Sequence, residues 1–256
     1  MTVRERPFAS HENAARRRFR RHAGASRVDA IVLSHAHADH YAGLARAIER
    51  LPDDCEARVF DPGLPRDYPS YNGFRAAAGC RWRQVSAGQT LNLDPSIETT
   101  VMAAHDALIS GADPASIIND SSIILRLRYA RFSMLFEGDA QSAAEHEAFA
   151  MLGGRLRSTV LKAGHHGSCT STGTSYLSAV APQYVFISVS DTNSYGMPHC
   201  QTMAKLKARS GLRWVRTDEN GTVSLNSDGS HYTVSRSKGR ESEDSCPRDC
   251  ASPLDF

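Results

Sequence analysis

The sequence predicts a mixed α+β fold, and three observations lead to it. Short runs rich in β-branched and aromatic residues alternate with stretches of helical period. Histidine and aspartate recur directly after several of those strand-like runs. The 256 residues, 41% hydrophobic and 23% charged, suffice for one substantial core of an ordinary globular chain.

The first strand is predicted at 28–33, Val-Asp-Ala-Ile-Val-Leu, a short β-branched run that fits a buried strand. It leads into Ser34-His35-Ala36-His37-Ala38-Asp39-His40, three imidazoles and a carboxylate in alternating positions. That alternation fans ligands around two adjacent cations, whereas a single helical face would carry the spacing H-E-x-x-H. A metal-free histidine loop is the weaker account, because clustered unpaired imidazoles are poorly tolerated. Tyr41, Leu44, Ala45, Ile48 and Leu51 then recur at helical spacing, and Pro52 ends that helix.

Strands are expected at 57–60 and 81–85, with a helix over 71–78 between them. A strand at 97–102 runs toward His105, and 106–120 reads as a loop broken by Gly111, Pro114 and Asn119. Two strands at 122–129 and 131–136 follow, the second delivering Glu137-Gly138-Asp139, and a helix is expected over 142–152. The run 159–163 leads to Gly164-His165-His166-Gly167-Ser168, and 184–189 leads toward His199. Layered α and β folds bind ligands outside the carboxyl ends of their strands, so these residues point to one place. Among the 11 histidines, His146 and His231 follow no such run and read as surface residues.

The formal net charge of +2 neither favours nor excludes a polyanionic partner, although Arg16, Arg17, Arg18, Arg20 and Arg21 form a basic helix face near the start. No apolar stretch reaches the roughly 20 residues that span a bilayer, and no signal peptide opens the sequence, so a cytoplasmic location is expected. The six cysteines show no framework spacing and are expected to be reduced, Cys246 and Cys250 included. One domain over 1–236 is expected, with 1–11 poorly ordered and 237–256 a disordered polar tail.

The succession His35-x-His37-x-Asp39-His40, then His105, Asp139 and His165, resembles the metallo-β-lactamase superfamily over about residues 28–234. More narrowly, Asn119-Asp120-Ser121-Ser122, Glu137-Gly138-Asp139-Ala140, Lys162-Ala163-Gly164-His165-His166-Gly167-Ser168 and Asn193-Ser194-Tyr195-Gly196-Met197-Pro198-His199 resemble the hydrolase domain of ComEC-type DNA-uptake proteins. The resemblance implies a four-layer αβ/βα sandwich with two metals between the sheets, and hydrolysis, often of phosphodiesters. Met197 departs from the pattern, which commonly has another histidine there. The opening Gly-Gln-Gly-Asp and Asp-Gly-Gly strings of such domains are absent, and residues 12–22 look like the helix that follows them, so an N-terminally truncated domain is expected. The membrane-channel segments of full-length ComEC proteins are likewise absent.

Carried over by position, the resemblance implies His35, His37 and His105 on one metal and Asp39, His40 and His165 on the other, with Asp139 bridging. Zinc is the first choice of cation and manganese the alternative. A metal-bridging hydroxide is the implied nucleophile. His165 is favoured over His166 because the first residue leaving a strand keeps its register. Asp39, His166 and His199 are the candidate catalytic side chains, although backbone hydrogen bonding accounts for His199 equally well. Asn119 and Ser121 read as caps, and Lys162 reads as a strand lysine reaching solvent, with phosphate contact the lesser alternative. The expected function is a dinuclear metal-dependent phosphodiesterase or nuclease acting on a phosphodiester, DNA among the candidates. Hydrolysis of small esters or lactams, or an inactive metal-binding remnant, are the alternatives.

Overall fold

The computed structural model describes residues 28–63, 69–104, 114–239, 246 and 248–250. The basic helix expected near Arg16 to Arg21, and His105, lie outside the described residues.

A parallel three-stranded sheet has the order β1 (Ile31–Val32), β2 (Val59–Asp61), β3 (Trp82–Gln84). Its outer face packs Ile31, Leu33 and Val59 against Tyr41, Leu44 and Ile48 and against Tyr71, Phe74 and Ala78. The latter three lie on α3 (Pro69–Ala78). The helix expected after the histidine cluster is two short pieces, α1 (Ala38–Tyr41) and α2 (Ala45–Ile48), parted by a turn at Gly43, whose backbone freedom disfavours continuous helix.

The second sheet has seven strands in the order β10-β9-β8-β7-β6-β5-β4. In chain order these are β4 (Thr90–Asp94), β5 (Ile97–Ala103), β6 (Ile124–Tyr129), β7 (Phe132–Phe136), β8 (Val160–Lys162), β9 (Tyr184–Ile187) and β10 (Arg213–Arg216). Pairing is antiparallel from β4 to β7 and parallel from β7 to β10. One face meets the first sheet, with Phe60 and Val32 packed on Leu91, Val101 and Ile123. The other face carries Leu135, Leu161 and Val185 beneath α5 (Ser142–Leu152), α6 (Thr174–Val180) and α7 (Cys200–Lys207). Helices, sheet, sheet and helices are therefore the four layers, as the resemblance implies. Each fully buried leucine contributes on the order of 2 kcal/mol. A hairpin of β11 (Val223–Ser227) and β12 (Tyr232–Arg236), preceded by the short α8 (Thr217–Asn220), covers Phe132, Val160 and Tyr184 on the inner face.

Two expectations are corrected. The stretch expected to be loop up to Asp120 contains α4 (Pro114–Asp120), in which Pro114 occupies the first turn, where its missing N–H is no loss. All six cysteines are paired rather than reduced, as Cys55–Cys80, Cys169–Cys250 and Cys200–Cys246. Composition alone could not place them, because the closed loops span sequence separations of 25, 81 and 46 residues. The same bonds tie Cys246 and Cys250 to the body of the fold. The Arg248 carbonyl accepts from the Cys200 N–H at 3.1 Å, and the Cys250 N–H donates to Gln201 Oε1 at 3.0 Å. Among the described residues no helix is long and apolar enough to cross a membrane.

Candidate metal centre

The site forms where β1, β7, β8 and β9 end. Past β1, His35 is fully buried and His40 opens toward the same space from α1. The Ser34 hydroxyl lies 3.1 Å from Nδ1 of both His35 and His40, so one side chain holds two imidazoles with their Nε2 atoms inward. Past β7, Gly138 has φ +59°, and a Cβ there would stand 2.8 Å from that of Ser34 and 2.9 Å from that of Ser122. Only glycine permits this approach. It lets the Asp139 N–H donate to Ser122 Oγ at 3.0 Å and aims the carboxylate into the cluster.

Past β8 the chain turns through two left-handed residues, His165 (φ 42°) and His166 (φ 55°). Such conformations cost non-glycine residues on the order of 1–3 kcal/mol each, a cost that the surrounding packing must outweigh. The result is that His166 swings into the cluster. Its Nδ1–H donates to the Ser188 carbonyl at 2.7 Å, which leaves Nε2 facing Asp139 Oδ2 at 3.4 Å and Asp39 Oδ2 at 3.5 Å. His165 instead sets Nδ1 3.1 Å from Thr170 Oγ1. The preference for His165 assumed that the strand register continues, and the double left-handed turn breaks it.

Asp139 is central. Its Oδ2 lies 3.3 Å from His40 Nε2 and 3.7 Å from His35 Nε2, and His35 Nε2 in turn lies 3.2 Å from His37 Nδ1. Burial alone would raise the Asp139 carboxyl, but the His166 and His40 imidazoles hold it well below the usual range. His166 shows the reciprocal effect, since burial pulls it down but the facing Asp139 and Asp39 carboxylates carry it up to about 9. The facing His166 ring keeps Asp39 at about 2, whereas burial lowers His165 to about 4 and drives His35 well down.

His40 Nε2, His166 Nε2 and Asp139 Oδ1 are buried with no hydrogen-bond partner. Buried polar atoms are rarely left so, and carboxylate oxygens beside imidazole nitrogens are the donor set that divalent cations take. Asp39, His40, Asp139 and His166 bring one such atom each within 4.8 Å of one another. The side chains fit a cation.

His199 lies apart from this group. Its Nδ1 accepts from the Cys169 N–H at 3.0 Å and its Nε2–H donates to the Tyr195 carbonyl at 3.2 Å, so both ring nitrogens are used by the backbone where α7 begins. This favours the backbone-bonded reading over a catalytic one. Lys162 Nζ donates to the Ala163 carbonyl at 2.8 Å, and burial lowers its pKa. It is half-buried, so it does not extend into solvent as an exposed strand lysine would. Ser121 Oγ donates to the Ile118 carbonyl at 2.7 Å as α4 closes, and His146 and His231 are exposed as expected. Asn119 is the exception to the capping reading, since its Oδ1 is buried without a partner.

Sequence reasoning missed Glu137 and Glu145, which lie behind the site. Glu145 accepts from the N–H groups of Thr172 and Gly173 and so fixes the segment that follows the two histidines. Burial and then the neighbouring Glu145 charge push Glu137 well up. The only signal for either was the Glu137-Gly138-Asp139 string itself.

The sequence profile of the β-lactamase superfamily domain matches residues 7–181. The chain belongs to the metallo-β-lactamase superfamily. It is 30% identical over 204 residues to ComE operon protein 3 of Bacillus subtilis (strain 168), covering 78% of this chain and 25% of that protein. It is also 30% identical over 202 residues to competence protein ComA of Neisseria gonorrhoeae, covering 78% and 26%. The chain thus spans about a quarter of the length of these curated relatives. Among solved structures it is similar to the metallo-β-lactamase fold protein YhfI of Bacillus subtilis, at TM-score 0.39 and 12% identity, covering 68% of this chain and 69% of that one. Superfamily membership accounts for the strand-end histidines and for the four layers together.

Proposed function

We propose that this chain is a dinuclear metal-dependent hydrolase of phosphodiesters, with a nucleic acid as substrate. The observation that carries the reading is the cluster of Asp39, His40, Asp139 and His166 with its orphaned ring nitrogens and carboxylate oxygen. Similarity to competence proteins supports a phosphodiester over a lactam. His35 and His37, with His105 from outside the described residues, are assigned to one cation, and Asp39, His40 and His166 to the other, with Asp139 serving both. Zinc suits this set and manganese is the alternative. Two divalent ions, when bound, polarise a phosphoryl oxygen and acidify water between them.

The chain's own residues supply the rest. Ser34 and the Ser188 carbonyl fix the imidazole tautomers, so that Nε2 of His40 and His166 carry the lone pairs. Asp39, with its side chain well exposed, is the carboxylate nearest incoming substrate and a candidate to accept or hold a proton at Oδ2. The paired cysteines support an oxidising compartment rather than the cytoplasm expected from the apolar stretches and the opening residues.

The test is turnover of bis-nitrophenyl phosphate, single-stranded DNA and a chromogenic lactam by the zinc- and manganese-loaded chain, with metal content measured alongside. Phosphodiester turnover lost in His166→Ala but retained in His165→Ala is the expected result. Lactam turnover alone, or loss only in His165→Ala, would overturn the substrate or the ligand assignment respectively.

A further inference from the structure

At the opposite end of the seven-stranded sheet, the helix-covered face is left open. Arg126 pairs in register with Leu135, and Leu135 with Leu161, so all three side chains share the face on which α5 lies. Helix α5 stops at Leu152, and past its end a groove of about 550 Å3 opens over β5 and β6. Thr100 and Arg126 line its floor, and Arg131, Arg155 and Arg157 line its sides.

Glu98 is the one carboxylate lining it, and Arg128 holds that group at 2.7 Å. None of Arg126, Arg131, Arg155 or Arg157 meets a carboxylate among the described residues. The Arg126 Nε is buried with no hydrogen-bond partner, and burial together with the nearby Arg128 charge disfavours its guanidinium. Four like charges converge on one concavity, and the half-buried Arg126 leaves its Nε unpartnered there, so an entering anion would be favoured. Guanidinium groups present planar donor forks that match phosphate oxygens, and their spread over the groove suits several phosphates in a row better than one.

We propose that this groove binds the phosphodiester backbone of a nucleic-acid strand, away from the metal centre. The choice of anion rests on the phosphodiesterase reading, whereas the basic groove does not. Arg131 stands before β7 and Asp139 beyond its end, so the five residues of that strand, roughly 17 Å at about 3.4 Å each, separate groove from cluster. Here the groove would anchor a part of the strand that is not being cut. No aromatic side chain lines the groove, so it is expected to hold strands through their phosphates and without regard to sequence.

The test is fluorescence anisotropy of the metal-loaded chain with a labelled phosphorothioate-linked single strand, which resists cleavage, across a salt series. R131Q/R155Q/R157Q is expected to weaken binding by roughly tenfold or more and to reduce the slope of log affinity against log salt by about 2, at the ~0.7 per phosphate of single strands. R83Q/K207Q/K238Q removes the same charge elsewhere and is expected to change far less. Thermal melts and metal content of both variants establish that each is folded. Equal losses in the two triple variants would overturn the inference, as would a loss confined to vesicles of phosphatidylserine and phosphatidylcholine. Because binding is read without turnover, a chain that holds the strand through these arginines but cleaves no phosphodiester would defeat the proposed activity and leave the groove standing.

Discussion

Asp61 and Asp139 are both buried aspartates delivered by a strand end, yet their surroundings are opposite in kind. Asp61 accepts from the Gly63 N–H, the Tyr71 O–H and the Trp82 Nε1–H, each at 2.7 Å, so neutral donors occupy both its oxygens. Burial raises its pKa, outweighing those three donors and the more distant Arg75 charge. Asp139 has ring nitrogens of His35, His40 and His166 around Oδ2 and nothing on Oδ1, and those imidazoles hold it low. A buried carboxylate saturated by neutral donors is architecture that ties β2, α3 and β3 together. One ringed by imidazoles whose lone pairs can be freed of protons is a ligand set.

The sharpest break of this contrast is Asp139→Ala, which should reduce bound metal from about two ions to one or none and remove hydrolysis altogether, by the two-metal logic. Metal analysis and phosphodiester kinetics check it. His199→Ala should keep both metals and most of the rate while lowering stability, because its ring bonds only backbone. Equal metal loss in both variants would place His199 back in the site.

Reduction of the three disulfides is expected to destabilise the chain more than any single substitution outside the core. Replacing Cys169 and Cys250 together by Ala should cost about 2–4 kcal/mol, since the bond closes a long loop. Urea unfolding of oxidised, reduced and variant chains measures it. Unchanged midpoints on reduction would show that the thiols are not bonded.

Asp61→Ala should cost about 3 kcal/mol by leaving Tyr71, Trp82 and Gly63 donors unpaired, with metal content unaltered. Metal loss as large as in Asp139→Ala would erase the contrast between the two aspartates.

The smallest effects lie in pH. In the metal-free chain His166 is raised from 6.5 to about 9, so its contribution is full below 6.5 and is lost as pH rises through about 9. Asp139 is lowered from 3.8, so its contribution is present above 3.8 and is lost as pH falls below that value. Asp61 is raised, so its contribution runs the other way, present below 3.8 and lost as pH rises through its folded value. Unfolding of metal-free protein at pH 6.5 and 9.5 should differ by about 2 kcal/mol, and His166→Gln should remove most of that difference. Metal affinity should climb over the same interval, because a cation must displace the His166 proton.

The alternating histidines after a β-branched run, the Glu-Gly-Asp string after another and the paired histidines after a third were legible in the chain, because a strand's end fixes where its next residues go. Four layers followed from the resemblance those residues carry, and the helix over 142–152 stands where it was expected, directly after the Glu-Gly-Asp string. What sequence could not decide was any choice that depends on a neighbour distant in the chain. His166 rather than His165 enters the cluster because two left-handed residues and the Ser188 carbonyl, 22 residues on, turn it there. Cys169 meets Cys250 across 81 residues because α7 and the chain's end pack together. The groove arginines belong to β6, to the turn before β7 and to the segment after α5, and only the stacking of strands in one sheet makes them neighbours. Residue types and local backbone preference set the chemistry available at each strand end, and long-range packing decided which of those groups share a space.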